Sequence, residues 1–422
     1  MTRKALKAFF CIAAFFTLTA CLKNDTLQAE SSPRPAAIAA YPTTELSDSA
    51  GIEWDTLNQT TRKLYSQGHY SEAAKVARQA LSVAKRTVGP NHPDYATSLN
   101  NLAFIYVNLG QFNQAEPMLQ RSLAIYEKIF GSNHPGYATS LNNLADLYSR
   151  QGRYDDAEPL FRRSLGIRKK AFGPNHPDVA QSLNNLAKLY EDQGKYDDAE
   201  PLFQKSLNIV EKTLGPNHPN VATILNNLAF LYKAQKRYDK AATFYQRSLT
   251  ISEKVLGSDH PHVAATLNNL VVLYLAQGQF DRAQPLLQRL LVIQEKVLNP
   301  NHPDVVKSLN NLAILNIILG RFDKAEPLFQ RLLAIEEKTL GPDHSDAATS
   351  LNNLAYLYSQ QGRYDKAEPM YQRALSILTK TLGPDHPKVV TIRNNMTVMY
   401  RAMNKTEEAE KIEMRIRAIK AR

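Results

Sequence analysis

A pair of adjacent asparagines recurs in this sequence at a constant spacing of 42 residues. The pairs begin at Asn100, Asn142, Asn184, Asn226, Asn268, Asn310, Asn352 and Asn394. One period further back stands Asn58-Gln59, a degenerate first copy. About nine units therefore fill residues 51–422. Such a period is typical of a stack of repeats, in which each unit contacts only its neighbours, and not of separate globular domains.

The fourth unit shows how a single repeat is expected to fold. Between Pro177 and Gly194, apolar residues recur with the spacing of one helical face: Leu183, Leu186, Ala187 and Tyr190. A second stripe of this kind runs from Ala199 to Val210 and stops at Gly215. Glycine recurs at this stop in other units, and Asn299 replaces it once. Because Gly and Asn best adopt the left-handed conformation that ends a helix, each unit predicts a helix–turn–helix.

These residues resemble the tetratricopeptide repeat. In the third unit its usual pattern is met by Ala145, Tyr148, Gly152, Tyr154, Ala157, Phe161, Ser164 and Leu165. The unit is longer than the usual repeat of about 34 residues. With its Leu-Asn-Asn-Leu-Ala-x-Leu-Tyr motif it is similar to the kinesin-light-chain type. The resemblance implies an all-α fold, an α-solenoid in the form of a right-handed superhelix of about nine helix–turn–helix repeats.

Three units depart from the pattern. Lys236 replaces the turn glycine of the fifth unit, which predicts a strained or altered turn. The last second helix, from Glu407 to Arg422, is highly charged, and the first unit has Thr60 and Thr61 in place of Leu-Ala. We expect these two units to be the polar caps that the open ends of a solenoid need for solubility.

The first residues have the character of a targeting signal. Residues 2–7 carry three positive charges and precede a mostly apolar run from Ala8 to Ala20. That run is too short for a membrane-spanning helix, which needs roughly 20 residues, but it suits the core of a signal peptide. Its end, Leu-Thr-Ala before Cys21, resembles the bacterial lipobox. The resemblance implies a lipoprotein signal peptide in residues 1–20 and fatty-acyl chains such as palmitate on Cys21. The alternative is an ordinary secretory signal with a chance cysteine.

Residues 21–50 are expected to be a lipidated N-terminus and a disordered tether. They are rich in Ser, Pro, Ala and Thr and show no helical period. About 30 residues of flexible chain would span roughly 30 Å. Leu22 stands where an Asp retains some lipoproteins in the inner membrane, so the resemblance favours the outer membrane. We therefore expect a lipid-anchored, periplasm-facing protein of the bacterial cell envelope.

The first asparagine of each pair lies on a stripe that, in the tetratricopeptide family, lines the concave surface of the superhelix. Family members use an Asn at this position to hold the backbone of a bound peptide. A carboxamide suits this role because it both donates and accepts hydrogen bonds. The resemblance thus implies a peptide-binding groove containing Asn142, Asn184, Asn226, Asn268, Asn310 and Asn352. The alternative is that these side chains connect neighbouring helices, the role that we expect for the second Asn of each pair.

Four residues after the first Asn, the side chain changes from unit to unit. Among these variable positions we assign to the groove Lys188, Phe230, Val272, Ile314 and Tyr356. Constant carboxamides beside varied side chains would suit a sequence-selective groove. Leu275, Ile317 and Ile318 make its middle apolar, and an exposed apolar patch usually marks an interaction site. The alternative is that the curvature of the stack covers these residues.

Two further ladders have simpler interpretations. A histidine recurs once per unit from His92 to His386. Metal binding needs several ligands within about 2 Å of one ion, and one residue per repeat cannot converge in that way, so we expect helix capping or packing. A basic ladder on the second helices is expected to form inter-helix ion pairs or to be solvated, with contact to an anionic surface as the alternative. Its members are Arg121, Arg163, Lys205, Arg247, Arg289, Arg331 and Arg373.

The sequence gives no sign of catalysis. It lacks the phosphate-binding Gly-Lys-Ser/Thr loop, the Gly-x-Ser-x-Gly elbow and the His-Glu-x-x-His motif. The net charge of +11 is spread along the chain and leaves no nucleic-acid footprint. We therefore predict that the protein is not an enzyme and has no cofactor, metal, nucleic-acid partner or small-molecule substrate.

The predicted function is a membrane-anchored scaffold that binds a peptide segment or helix of a partner protein in its concave groove. The alternative is an architectural subunit of an envelope assembly, such as outer-membrane, pilus or cell-wall machinery. Such a subunit would make its contacts through convex faces.

Overall fold

The computed structural model describes residues 49–420 of the chain, and all secondary structure in that range is helical. The first helices of the repeats are α1 (Ser49–Ser66), α3 (Pro93–Asn108), α5 (Pro135–Arg150), α7 (Pro177–Asp192), α9 (Pro219–Ala234), α11 (Pro261–Ala276), α13 (Pro303–Ile318), α15 (Ser345–Gln360) and α17 (Pro387–Ala402). The second helices are α2 (Tyr70–Thr87), α4 (Phe112–Phe130), α6 (Tyr154–Phe172), α8 (Tyr196–Leu214), α10 (Tyr238–Leu256), α12 (Phe280–Val297), α14 (Phe322–Leu340), α16 (Tyr364–Leu382) and α18 (Thr406–Lys420).

These helices form successive helix–turn–helix repeats, from repeat 1 (α1 and α2) to repeat 9 (α17 and α18). The predicted all-α solenoid fold is therefore confirmed for the described residues. The predictions for the signal peptide, for Cys21 and for most of the tether fall outside this range. Among the described helices, none combines the length and the apolar character needed to cross a membrane.

The chain divides into two compact units within α11. The N-terminal unit contains the described residues up to Leu273, and the C-terminal unit contains the described residues from Tyr274 onward. In the N-terminal unit the first helices from α3 to α9 are buried along most of their length. These helices therefore form the core, while the second helices bury one face and expose the other.

The recurring histidine caps each first helix from α3 onward. In α7, Nδ1 of His176 accepts a hydrogen bond from the main-chain N–H of Asp178 at 3.1 Å. The same contact recurs at His92, His134, His218, His260, His302, His344 and His386. Each ring thus satisfies one N–H group that has no partner inside its helix. This geometry confirms the predicted capping role.

The turn between the two helices of a repeat requires a left-handed residue. Gly152 has a φ of 76° in repeat 3, and Lys236 takes the same place in repeat 5 with a φ of 61°. A left-handed residue with a side chain costs roughly 1–2 kcal/mol. The predicted strain at Lys236 is therefore present, and the turn keeps its conformation in spite of it.

One position on the second helices carries a different side chain in every unit. It is occupied by Tyr126, Arg168, Val210 and Ser252 in the N-terminal unit, and by Gln294, Glu336 and Leu378 in the C-terminal unit. Arg168 is only 1% exposed and donates to the main-chain oxygen of Asp178 and to Oγ of Ser182. Ser252 bonds instead to Nδ1 of His262 at 3.0 Å. Each of these two interfaces therefore has its own buried polar arrangement.

Glu336 is the acidic member of this set. It is buried, and burial raises its pKa to about 7, with a further increase from Asp346 and an opposing hydrogen bond from Ser350. Its Oε2 atom has no hydrogen-bond partner among the described residues. A carboxyl group with a raised pKa favours the folded state only while it is protonated.

We predict that Glu336→Gln stabilises the protein at alkaline pH. Between pH 4.5, the usual pKa of Glu, and about 7, only the folded state holds the proton, so stability falls as pH rises through this range. The full penalty of up to about 3 kcal/mol is present above pH 7. Thermal unfolding should show the variant more stable than the native chain at pH 8 and similar to it at pH 4.

The matched control is Glu337→Gln, which alters a partly exposed neighbour that pairs with Arg373. This control should not stabilise the protein at pH 8. A pH-independent difference between Glu336→Gln and the native chain would contradict the prediction.

Candidate partner-binding face

The asparagine pairs form a hydrogen-bonded ladder between repeats. The second Asn of a pair donates through Nδ2 to Oδ1 of the first Asn of the preceding repeat. In the N-terminal unit these bonds are Asn143–Asn100 at 3.1 Å, Asn185–Asn142 at 3.2 Å, Asn227–Asn184 at 3.1 Å and Asn269–Asn226 at 3.2 Å. In the C-terminal unit Asn395 donates to Asn352 at 3.0 Å. The inter-repeat role predicted for the second Asn is thus present in each of these pairs.

The first Asn of each pair differs in exposure along the chain. Asn142, Asn184 and Asn226 are 2%, 0% and 1% exposed. Hydrogen bonding of these three carboxamides to a bound peptide remains a prediction. It would require the neighbouring first helices to separate. The structure gives them the connecting role that was the alternative. Asn352 is also buried, whereas Asn268 and Asn310 are half-buried and Asn394 is exposed.

The inner face of the N-terminal unit, defined by Asp146, Lys188, Phe230 and Val272, is occupied by its own side chains. Lys188 forms ion pairs with Glu191 at 3.0 Å and with Asp192, and its side chain is only 6% exposed. Burial would lower the pKa of Lys188, but the two carboxylates outweigh it and raise the pKa. The ammonium group therefore stays charged and is neutralised from within the repeat.

Neighbouring positions of this face are filled in the same way. Phe230 is half-buried, and the Nζ atoms of Lys188 and Lys233 lie 5.1 Å and 5.3 Å from its ring centre. Asp146 is buried and accepts from Nε of Arg150 at 3.0 Å. Val272 is buried as well. The predicted groove residues of this unit therefore lie on one face but offer little surface to a partner.

The C-terminal unit leaves more of the corresponding surface accessible. Ile314 is buried, whereas Ile317, Tyr356 and Val398 are half-buried and Asn394 is exposed. We call the surface formed by Ile317, Tyr356, Asn394 and Val398 the C-terminal inner face. It combines apolar side chains with a carboxamide that can donate and accept hydrogen bonds.

A second inter-repeat contact was not predicted from the sequence. A tyrosine of each of several first helices donates its hydroxyl to a glutamate of the preceding second helix, as between Tyr358 and Glu326 at 3.0 Å. Arg363 stacks on the Tyr358 ring at 4.4 Å and donates to the same glutamate at 2.7 Å. The hydrogen bond from Arg363 helps to lower the pKa of Glu326. The recurrence of Ala-Glu and Tyr at the same period was the sequence signal for this contact.

The basic ladder of the second helices forms ion pairs between repeats. Arg247 pairs with Glu211 at 2.6 Å and Arg373 with Glu337 at 2.8 Å. This confirms the predicted inter-helix pairing at these two positions. Among the described residues, no three His, Cys, Asp or Glu side chains lie together in a way that could hold a metal ion.

We predict that Asn184→Ala destabilises the protein and that Asn394→Ala does not. The first change leaves the buried Nδ2 of Asn227 without its acceptor, which costs about 1–3 kcal/mol. The second alters an exposed side chain and should stay within about 0.5 kcal/mol. Urea unfolding followed by circular dichroism would measure both, and equal losses would contradict the ladder as a stabilising element.

Comparison with known proteins agrees with this architecture. The tetratricopeptide repeat model matches eight overlapping segments, from residues 64–128 to residues 346–422. Among curated proteins, no match was found. A crystal structure of a Podosopora anserina putative kinesin light chain with nearly identical TPR-like repeats is 30% identical; the match covers 49% of this chain and 98% of that one, with a TM-score of 0.43.

Two other solved structures are similar. BtubC (BKLC) from P. vanneervenii is 27% identical over 55% of this chain and 92% of its own, with a TM-score of 0.48. The apo form of RapI is 14% identical over 75% of this chain and 85% of its own, with a TM-score of 0.57, a likeness of fold alone. The tetratricopeptide repeat model covers residues 64–422 without a gap, and the chain therefore belongs to the tetratricopeptide repeat family.

Proposed function

We propose that this protein is a membrane-anchored scaffold that binds an extended segment or a helix of a partner protein on the inner face of its first helices. Its family supports the general role, because tetratricopeptide repeats are a protein-interaction scaffold. The recurrence of the same polar residues in every repeat also supports this role, since a catalytic site needs unlike groups gathered at one place.

The observation that carries the proposal is the difference in exposure along one register. At the variable position of the N-terminal unit, Phe230 is half-buried and the other side chains are buried, whereas in the C-terminal unit Ile314 is buried and both Tyr356 and Val398 are half-buried. Partly exposed aromatic and aliphatic groups beside polar ones are typical of surfaces that bind protein segments. We therefore assign the first contact with a partner to the C-terminal inner face.

The remaining predicted groove residues are not assigned to the first contact with a partner. Asn310, half-buried, and Asn352, mostly buried, lie on the same helices as Ile317 and Tyr356 and border the C-terminal inner face. Asn142, Asn184, Asn226, Asn268, Lys188, Phe230, Val272 and Ile314 would join only if binding moved the repeats apart. An extended segment would then make backbone contacts to carboxamides and insert side chains between them.

The proposed anchor is a lipid on Cys21, which lies outside the described residues. It is supported by the charged start, the short apolar run and the lipobox-like end of the leader. Several acyl chains would hold the protein stably, where one would not. We propose an envelope location facing the periplasm, at the outer membrane in preference to the inner one.

We predict that replacing Tyr356 and Asn394 together by Ala reduces partner capture at least about tenfold, since a buried aromatic contact often contributes 2 kcal/mol or more. Affinity purification of the full chain from detergent-solubilised membranes, with mass spectrometry of the co-eluting proteins, would identify and quantify the partner. Helical content should stay unchanged.

The matched control replaces Gln372 and Met414 by Ala, since both are exposed on second helices of the same unit. Capture should survive in this control. If capture were lost in the control and retained in the inner-face variant, an architectural subunit acting through its outer surface would replace the groove model.

We predict that Cys21→Ser abolishes metabolic labelling by a fatty-acid analogue and removes the protein from the membrane fraction, because the thioether-linked lipid has no other attachment site. A Cys11→Ser variant is the control and should remain labelled. Undiminished labelling of Cys21→Ser would refute the anchor while leaving the binding face untested by that result.

A further inference from the structure

Two distant parts of the N-terminal unit touch each other. The ring of His260, just before α11, lies with Nε2 2.5 Å from the main-chain oxygen of Ser66 at the end of α1. Pro261 packs beside Gly68 in the turn that follows α1. Repeat 1 and repeat 6 are far apart in the chain, so this contact is not a consequence of neighbouring repeats packing together. We call it the repeat 1–repeat 6 contact.

The turn glycines show that this contact is particular to Gly68. A Cβ atom added to Gly68 would lie 2.5 Å from Cγ of Pro261. Gly110 and Gly152 hold the same place in repeats 2 and 3 with similar positive φ angles, and a Cβ atom there would meet nothing within 4 Å. At Gly68 the absence of a side chain is therefore required by a neighbour as well as by the backbone conformation.

The capping histidines lead to the same conclusion. Nδ1 of His260 accepts from the N–H of His262, as in the other repeats, so Nε2 is free to carry the proton and donate it. His176 makes the same cap to Asp178 in repeat 4, but its ring stacks on Phe172 instead of reaching a distant main chain. Two independent features are thus specific to the repeat 1–repeat 6 contact. In repeat 1 it is the lack of room for a side chain at Gly68, and in repeat 6 it is the contact of the His260 ring with a distant main-chain oxygen.

Between repeat 1 and repeat 6, side chains of the N-terminal unit cover most of its inner face. The Phe104 ring packs against that of Tyr65, near the end of α1, with 5.2 Å between ring centres. Tyr65 also lies within electrostatic range of Asp146 and Arg150, two repeats further on. Lys188 continues the series as a buried ion-paired group. The inner face is therefore mostly buried in a unit whose first and sixth repeats are in contact.

We propose that the repeat 1–repeat 6 contact holds the N-terminal unit in a closed state, and that its opening gives a partner access to the inner face around Lys188 and Phe230. The inference rests on the proposed role of the inner faces in binding. It divides that role between an accessible C-terminal inner face and an N-terminal inner face that must first open. Such a device makes binding at the second surface conditional on a change in the protein.

Lysine footprinting of the full chain tests the proposal without any partner. The amine of Lys188 is acylated by an N-hydroxysuccinimide ester and quantified by mass spectrometry, with the exposed Lys170 and Lys212 as internal references. We expect Gly68→Ala and His260→Ala each to raise the rate at Lys188 several-fold relative to the references.

Two variants are matched controls. Gly152→Ala introduces the same backbone strain without a clash, and His344→Ala removes the same kind of helix cap from α15, away from the helix that carries Lys188. Both should leave the Lys188 rate unchanged. Circular dichroism verifies that every variant keeps its helical content, and His260→Ala gives a separate answer if Gly68→Ala does not fold.

An unchanged Lys188 rate in His260→Ala and in a folded Gly68→Ala would overturn the proposal, and so would an equal rise in the controls, because the change would then be general loosening. Neither result depends on partner capture by the C-terminal inner face. Failure of the closed-state inference can therefore be distinguished from failure of the proposed function.

Discussion

The buried bond between carboxamides of successive repeats is the contact on which the rest of the N-terminal unit depends. The Oδ1 atoms of Asn100, Asn142, Asn184 and Asn226 each accept from the Nδ2 of a second Asn in the next repeat, and these side chains are buried. A buried amide that loses its partner costs more than the bond itself contributes, so the pairing fixes the register of one first helix against the next. Packing of Leu and Ala side chains could tolerate small shifts, whereas a directional bond cannot.

The ladder lies on the same stripe of the first helices that a partner would use. Asn184 is paired and buried, and Lys188 beside it is buried too. Asn226 and Asn352 are also paired and buried, yet Phe230 and Tyr356 beside them are half-buried. The exposure of the variable side chains is therefore not determined by the carboxamide bonds alone.

The fold was predictable from the sequence, but only part of the candidate partner-binding face was. The period, the glycines and the histidines determine where helices begin and end, because these depend on local backbone conformation and capping. The exposure of Asn184 depends on how closely two first helices approach, and a period along the chain does not determine that distance. The Tyr358–Glu326 contact was missed for a similar reason, since its partners lie on different repeats and each residue alone is an ordinary helix component.

The variable position on the second helices has a consequence for the evolution of this chain. Near-identical units are prone to misaligned recombination, which would delete or duplicate whole repeats without disturbing the reading frame. Joining α6 directly to α9 would place Ile224 where Ser182 now accepts a hydrogen bond from the buried guanidinium of Arg168. A desolvated cation that loses one of its acceptors would be destabilising. The mismatched interiors thus favour one order of units over the rearrangements that their similarity invites.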